Sequence, residues 1–179
     1  EFTLGPSVRE FEEKFAHLCG VKHAIGINSG TDALILILKA LGIGPGDEVI
    51  TVPNSFIATA NVILFVGAKP VFVDVNDEYL MDTDLVKEAI TKNTKAILPV
   101  HLTGNPVFMP ALLGLHTGTY ERYLYLIEDA AQAIDADIWG KKVGNWGIAG
   151  EFSLHPLKNM NVWGDGGMVT TSDKKLAEK

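Results

Sequence analysis

The sequence predicts an α/β fold, a mostly parallel mixed sheet covered by helices on both faces. Three observations carry that expectation. Short runs of β-branched and apolar residues, such as "EVITV" at 48–52 and "PVFVDV" at 70–75, read as strands buried on both sides. Helical stretches alternate with them, the pattern of parallel strands joined by crossover helices. The 179 residues are 47% hydrophobic and 21% charged, which suits one domain with a sizeable core.

In chain order, Ser7 and Glu10 have the capping-box spacing, and Val8, Phe11, Phe15 and Leu18 recur at helical intervals. Gly20 stands where a terminating glycine belongs, so a first helix is expected there. "HAIGI" (23–27) reads as a short buried strand, "NSG" as a turn, and "TDALILILKAL" (31–41) as a helix whose near-continuous apolar surface implies burial. A helical run at 56–65 follows the strand at 48–52, and a helix at 83–90 follows the strand at 70–75. "AILPV" (96–100), "LYLIE" (124–128), 151–153 and "GMVTT" (167–171) are the remaining expected strands. No internal repeat, low-complexity tract or linker divides the chain. It opens at Glu1 and closes on the charged run "SDKKLAEK", and residues 1–179 are read as one domain cut from a longer protein.

A net charge of −7 with no basic stripe argues against nucleic-acid binding, which needs clustered Lys and Arg. No apolar stretch approaches the roughly 18 residues of a membrane span, and no signal peptide is evident. The cytoplasm is therefore the expected location. Cys19 is the only cysteine, which excludes a disulfide framework and predicts a small buried hydrophobe near a helix end. The five histidines, at 17, 23, 101, 116 and 155, show no HExxH-like pairing, so no metal is expected.

The polar clusters fall just after expected strands: "NSGTD", "PNSF", "HLTGN", "EDAAQ" and "SLHPLKN". In open α/β sheets ligands sit outside the carboxyl ends of the strands, so these clusters should converge on one edge. In "NSGTDAL", Gly30 permits close backbone approach and Thr31 offers a hydroxyl at a helix start that favours an anion. An ordinary capped helix start has the same look, and the pattern is neither a Walker loop nor GxGxxG. Asp129 ends a buried strand, where a carboxylate needs a cation, several donors or a helix to cap; Gln132 would share its side of a helical turn. Lys158 is flanked by Phe152, Leu154, Pro156, Leu157, Met160 and Trp163, an apolar setting in which a lysine can become a nucleophile or base rather than a surface cation. Ser153 adds a hydroxyl, "GDGG" (164–167) a tight turn, and Phe56 either a stacking face or a core ring. Pyridoxal 5′-phosphate has handles for all of these: a phosphate, a ring nitrogen, a ring hydroxyl and an aldehyde.

In order, "SGTDAL", "DEVITVPNSFIATANVI", "AKPVFVDV", "PVHLTGNP", "IEDAAQAI", "VG", "FSLHPLKN" and "GDGGMV" resemble the DegT/DnrJ/EryC1/StrS family over nearly the whole chain. That family consists of pyridoxal-phosphate sugar aminotransferases of the aspartate aminotransferase-like fold. The resemblance implies that Lys158 forms the internal aldimine, Asp129 pairs with the pyridinium nitrogen and Gln132 approaches the ring hydroxyl. Ser29, Gly30, Thr31 and Ser153 would bind the phosphate, and Phe56 would stack on the ring. It further implies amino transfer, with glutamate as donor, to a keto group of a nucleotide-linked sugar, in a homodimer with active sites at the interface. Some relatives are sugar dehydratases with His in place of this lysine, so Lys158 favours amino transfer. A cofactor-binding relative or sensor without turnover, and a doubly wound domain whose Lys158 and Asp129 are structural, are the alternatives.

Two departures stand out. Within "MPALLGLHTGTYERYLYLIEDA" (109–130), Gly114 and Gly118 should interrupt the expected helix, and Phe108 stands where an acidic residue is common in the family. The family's smaller C-terminal domain and the start of its chain are missing. Only Arg9 and Arg122 are present to grip an anionic substrate, and neither lies in a motif.

Overall fold

A computed structural model describes residues 4–117 and 123–179, the side chains of 116 and 117 excepted. The helices are α1 (Pro6–Cys19), α2 (Gly30–Ala40), α3 (Ile57–Phe65), α4 (Thr83–Ala89), α5 (Met109–Thr117) and α6 (Lys174–Ala177). The strands are β1 (His23–Ile27), β2 (Glu48–Thr51), β3 (Lys69–Phe72), β4 (Thr94–Ile97), β5 (Tyr125–Asp129), β6 (Asp137–Ile138), β7 (Lys141–Lys142), β8 (Ala149–Ser153) and β9 (Gly167–Thr171). The main sheet has the order β1-β9-β8-β5-β4-β2-β3, and β6 with β7 forms a separate hairpin. Strands β8, β5, β4, β2 and β3 pair in parallel, whereas β9 runs antiparallel to both β8 and β1. Two reversals restore direction, so β1 runs with the parallel strands. The sheet is mixed and mostly parallel, as the sequence predicts.

Alternate residues of each strand enter opposite cores, as the period of two requires. Val49, Ala96, Leu98, Ile127 and Val169 meet Ala33, Leu34, Ile37 and Leu38 of α2 and Val62 and Ile63 of α3. On the opposite face, Ile50, Ile97 and Leu126 meet Val86 of α4 and Met109 and Leu112 of α5. Phe152 and Met168 pack there on Phe15, Ala16 and Cys19 of α1, with the Phe15 and Phe152 rings edge to face at 5.1 Å. Burial pushes the Cys19 thiol up to about 12, so this cysteine is a packing residue with no thiolate chemistry.

Several boundaries differ from expectation, each for a local reason. Helix α1 starts with Pro6 after Gly5, not with a Ser7 cap; proline's missing N–H costs nothing at a helix start, and Glu10 pairs with Lys14 at 2.7 Å instead of closing a capping box. Gly20 ends the helix at φ 69°, as its position predicts. Strand β4 stops at Ile97, because Pro99 has no N–H to donate, and only an isolated bridge joins Val100 to Asp129. Gly114 lies inside a formed α5; the rest of the irregular stretch, including Gly118 and Arg122, falls outside the described residues. Phe108 packs edge to face on Trp139 of the β6–β7 hairpin at 5.3 Å, which accounts for an aromatic at that position. Among the described residues, no helix is long and apolar enough to cross a membrane.

Candidate functional site

The carboxyl ends of β1, β2, β5 and β8 and the amino end of the reversed β9 open onto one cavity of about 370 Å³. Ser29, Gly30, Thr31, Phe56, Asp129, Gln132, Ser153 and Lys158 all line it, so the strand-end clusters converge as the sequence predicts. A larger groove of about 660 Å³ runs along β1, α2 and α6, lined by Ile25, Leu36, Val169, Leu176 and the stems of Lys39 and Lys179. It brings no nucleophile, acid or base together, and the chemistry belongs to the smaller cavity. Arg9 is exposed on α1, away from both.

The floor is built from β8 and the start of α2. Ser29 caps α2, its Oγ accepting from the Asp32 N–H at 3.1 Å while its carbonyl accepts from the Ala33 N–H. The amides of Gly30 and Thr31 stay outside these capping bonds, at the positive end of the helix dipole. Gly30 leaves room for Glu151: a Cβ there would overlap Glu151 Oε1 and lie 3.0 Å from Ser153 Cβ, so the Glu151 side chain would have to move. Gly167 is equally constrained, since its Cβ would come within 2.5 Å of the Ser29 carbonyl carbon. Ser153 is buried, and its Oγ accepts the His155 N–H at 3.3 Å.

Consecutive residues at the end of β5 face opposite ways. Glu128 turns from the cavity, and its carboxylate accepts N–H bonds from Gly144 (2.8 Å), Trp146 (2.7 Å) and Gly147 (2.9 Å) and lies 3.1 Å from His101 Nε2. His101 Nδ1 accepts from the Val107 N–H at 3.0 Å, which places the ring proton on Nε2, directed at Glu128. This dry cluster ties two loops to the strand just before Asp129. Glu128→Ala would orphan one buried and two part-buried amides and the buried His101 ring N–H, and a loss of roughly 3–5 kcal/mol of stability is expected; a urea midpoint unchanged from wild type would contradict it. Asp129 points into the cavity, its Oδ2 accepting from Thr59 Oγ1 at 2.7 Å and its Oδ1 from the Ala131 N–H at 3.3 Å. Thr59 is in turn 2.9 Å from Ser55 Oγ. The chain after Asp129 forms turns, not a helix, and Gln132 is fixed by the Thr103 N–H donating to its Oε1 at 3.1 Å, with its amide donor disengaged among the described residues.

Lys158 is half-buried on a turn closed by its own N–H to the His155 carbonyl at 2.8 Å. No hydrogen bond or ion pair engages Nζ among the described residues. Its surroundings are only partly the apolar ones that its sequence neighbours suggest: Leu157 lines the cavity with it, as do Leu34, Phe56 and Ala58. Leu157 and Trp163 are exposed and Phe152 and Leu154 belong to the core beneath, while Asp129, Glu151 and Asp165 share the cavity with the amine. Strand alternation is the reason: it sends Phe152 to one face and Glu151 and Ser153 to the other. Phe56 caps α3 at the cavity rim, 67% exposed, and is not a core ring.

Two residues escaped the sequence reading. Thr59 had a signal in its i,i+4 spacing from Ser55 at the start of a helix, without any hint that a carboxylate lies opposite. Glu151 had a stronger one, as the only charge in the buried strand "AGEFS" and two residues before Ser153. It is 1% exposed, and neither carboxyl oxygen has a hydrogen-bond partner. Burial first, then the adjacent negative charge of Asp129, push its carboxyl well above the usual carboxylate range.

Residues 1–179 match the model of the DegT/DnrJ/EryC1/StrS aminotransferase family. The chain is 52% identical over 179 residues to the UDP-N-acetyl-3-dehydro-α-D-glucosamine 3-aminotransferase of Acidithiobacillus ferrooxidans, covering 99% of this chain and 48% of that protein. Its fold superposes with a TM-score of 0.91 on Streptomyces venezuelae DesV solved in complex with a ketimine intermediate, at 46% identity over 98% of this chain and 47% of that one. The TM-score is also 0.91 against the Bacillus subtilis protein NtdA with bound cofactor PMP, at 39% identity over 99% of this chain and 39% of that one. The chain thus spans about half the length of the curated relatives it matches.

Proposed function

The chain belongs to the DegT/DnrJ/EryC1/StrS aminotransferase family, and from that membership we propose that it is the large, cofactor-binding domain of an enzyme that uses pyridoxal 5′-phosphate to move an amino group onto a keto group of a nucleotide-linked sugar. The observation that carries the reading is the meeting of Lys158, Asp129, Gln132, Ser153 and the Gly30–Thr31 helix start in one cavity. The residues present fit the cofactor. An unengaged amine suits the aldehyde, a carboxylate with two accepting oxygens suits the ring nitrogen, and a Gln donor suits the ring hydroxyl. The glycine cradle with Ser153 suits the phosphate. Substrates, amino donor and subunit arrangement extend the same proposal: glutamate as donor, and a homodimer that completes each cavity, for which the exposed Phe56, Ile57, Leu157 and Trp163 supply apolar surface. A cytoplasmic location agrees with a nucleotide-sugar substrate.

When bound, pyridoxal phosphate supplies an aldehyde that takes up the amino group and a ring that delocalises the electron pair left at the substrate carbon. The residues lining the cavity would supply the cofactor's setting. Lys158 Nζ would hold the aldehyde and, as a free amine at that same position, would move a proton as base and then acid. Asp129 holds the proton on the ring nitrogen, and Thr59 fixes the rotamer in which it does so. Gln132 orients the ring, held by the backbone of the 102–104 turn. The α2 start and Ser153 bind the phosphate, and Phe56 covers the ring face and excludes water. Thr59→Val removes a hydrogen bond to a charged group, worth about 1.5–3 kcal/mol, so affinity for pyridoxal phosphate should fall by roughly tenfold or more in an absorbance titration; Thr59→Ser should keep it.

The deciding experiment adds pyridoxal phosphate to the full-length protein, fixes any imine with borohydride and maps the labelled peptide by mass spectrometry. Label on Lys158 is the expected result. A folded protein labelled elsewhere, or not at all, refutes the assignment, and label on Lys158 without amino transfer to any keto-sugar nucleotide would make the protein a binder or sensor.

A further inference from the structure

Of the two cavity carboxyls that the proposed function leaves idle, Asp165 is exposed and Glu151 is buried. It is register partner to Asp129 on the neighbouring parallel strand, so the two side chains leave the same face of the sheet side by side. Its Oε1 lies against Gly30, at the anion-binding start of α2. Both oxygens are shut away from water and unpartnered, whereas both oxygens of Asp129 accept hydrogen bonds, from Thr59 and the Ala131 amide. Two adjacent buried carboxyls cannot both ionise cheaply, and the one with the donors keeps the charge.

We propose that Glu151 is a positioning residue that holds the proton of the Asp129–Glu151 pair, so that the negative charge stays on Asp129 and none develops beneath the phosphate cradle. The other groups around it agree with this division. Residue Val169, its partner on β9, is apolar, and the polar groups offered from the α3 side are the hydroxyls of Thr59 on the helix and Ser55 in the loop before it. On α2, the Asp32 carboxylate accepts from Asn28 Nδ2 at the helix start. Of the charged groups in the surrounding loops, Asp165 would oppose ionisation of Glu151, and Lys158 is the single cation lining the cavity among the described residues, with His155 beside it. Lys158 favours the ionised form of Glu151, but less than burial and Asp129 oppose it. The inference rests on the function proposed above only for what the charge distribution serves; the protonation itself is a property of the protein without cofactor.

The sign is fixed by linkage. Glu151 binds its proton more tightly folded than unfolded, where the ordinary value is 4.5, so its contribution to stability is full below that pH and declines as pH rises toward the folded value. Glu151→Gln is neutral at every pH. In the full-length apoprotein, the folding constant of wild type relative to E151Q should fall about tenfold per pH unit above the unfolded value, measured by urea unfolding, and the infrared carbonyl band of a protonated carboxylic acid at neutral pH should vanish in E151Q. E151Q should bind pyridoxal phosphate at neutral pH within about threefold of wild type. Parallel stability profiles with no lost carbonyl band would overturn the proposal. So would a large loss of cofactor affinity in E151Q alone, which would identify Glu151 as the ionised partner of Lys158. Failure of the wild type to bind cofactor, with the infrared band and the pH slope present, would instead count against the function and leave the proton assignment standing.

Discussion

Replacing Lys158 with alanine is expected to abolish covalent attachment of pyridoxal phosphate and to lower turnover of the full-length enzyme by roughly ten-thousand-fold or more, with the fold unchanged. The size of the loss follows from the number of tasks one amine carries. Under the proposed function the same Nζ would hold the cofactor and move the proton, and no other lysine or arginine lines the cavity among the described residues. The fold should survive because the side chain is half-buried, belongs to none of the three cores and engages no partner through Nζ. A urea midpoint within about 0.5 kcal/mol of wild type would show this. Because the deletion leaves a space the size of an aliphatic amine, a small primary amine in the buffer should restore part of the proton transfer but none of the covalent attachment to the protein. Near-normal turnover in this variant would remove Lys158 from the chemistry, whatever the resemblance implies.

The outline of this site was legible in the sequence because it depends on topology. Buried strands announce themselves by β-branched runs, and once their direction is known to be shared, the residues after them must gather at one edge. Ser29, Gly30, Thr31, Phe56, Asp129, Gln132, Ser153 and Lys158 were therefore locatable one by one. What lay beyond reach was anything set by contacts between distant elements. Thr59 meets Asp129 across 70 residues, and the local sequence of α3 carries no trace of that partner. The Glu128 cluster was hidden for the same reason, since its donors come from a loop 16 to 19 residues downstream. The expected apolar setting of Lys158 held only in part, for a different reason. Sequence neighbours on a strand leave by opposite faces, so adjacency in "EFSLHPLK" says little about who shares a pocket. Glu151 was visible and passed over, although an unpaired charge in a buried strand is the kind of local conflict that marks functional sites.

Asp129→Asn is the second substitution with a large expected effect, and its interest lies in how little it changes. Shape is nearly conserved: the remaining carbonyl oxygen of Asn can still accept from Thr59 Oγ1, as Oδ2 does now at 2.7 Å. The negative charge is lost. An amide beside the ring nitrogen cannot stabilise a proton there as a carboxylate does, and breaking a buried charge pair by removing one member costs about 3–5 kcal/mol. Felt in full by the transition state, that is a rate loss of roughly a hundred- to several-thousand-fold. Phosphate binding, which depends on the α2 start and Ser153, should persist, so cofactor should still be retained and still attach to Lys158. Loss of turnover with retention of cofactor is thus the signature to look for, in rapid-mixing half-reactions with an amino donor. The variant also reports on its neighbour. With residue 129 neutral, the repulsion that helps hold the proton on Glu151 is relieved, and the alkaline loss of stability assigned to Glu151 should level off at a lower pH and be smaller in total than in wild type. Unchanged turnover in Asp129→Asn would refute the role of its charge; reduced turnover with an unchanged pH profile of stability would keep that role and detach Glu151 from it.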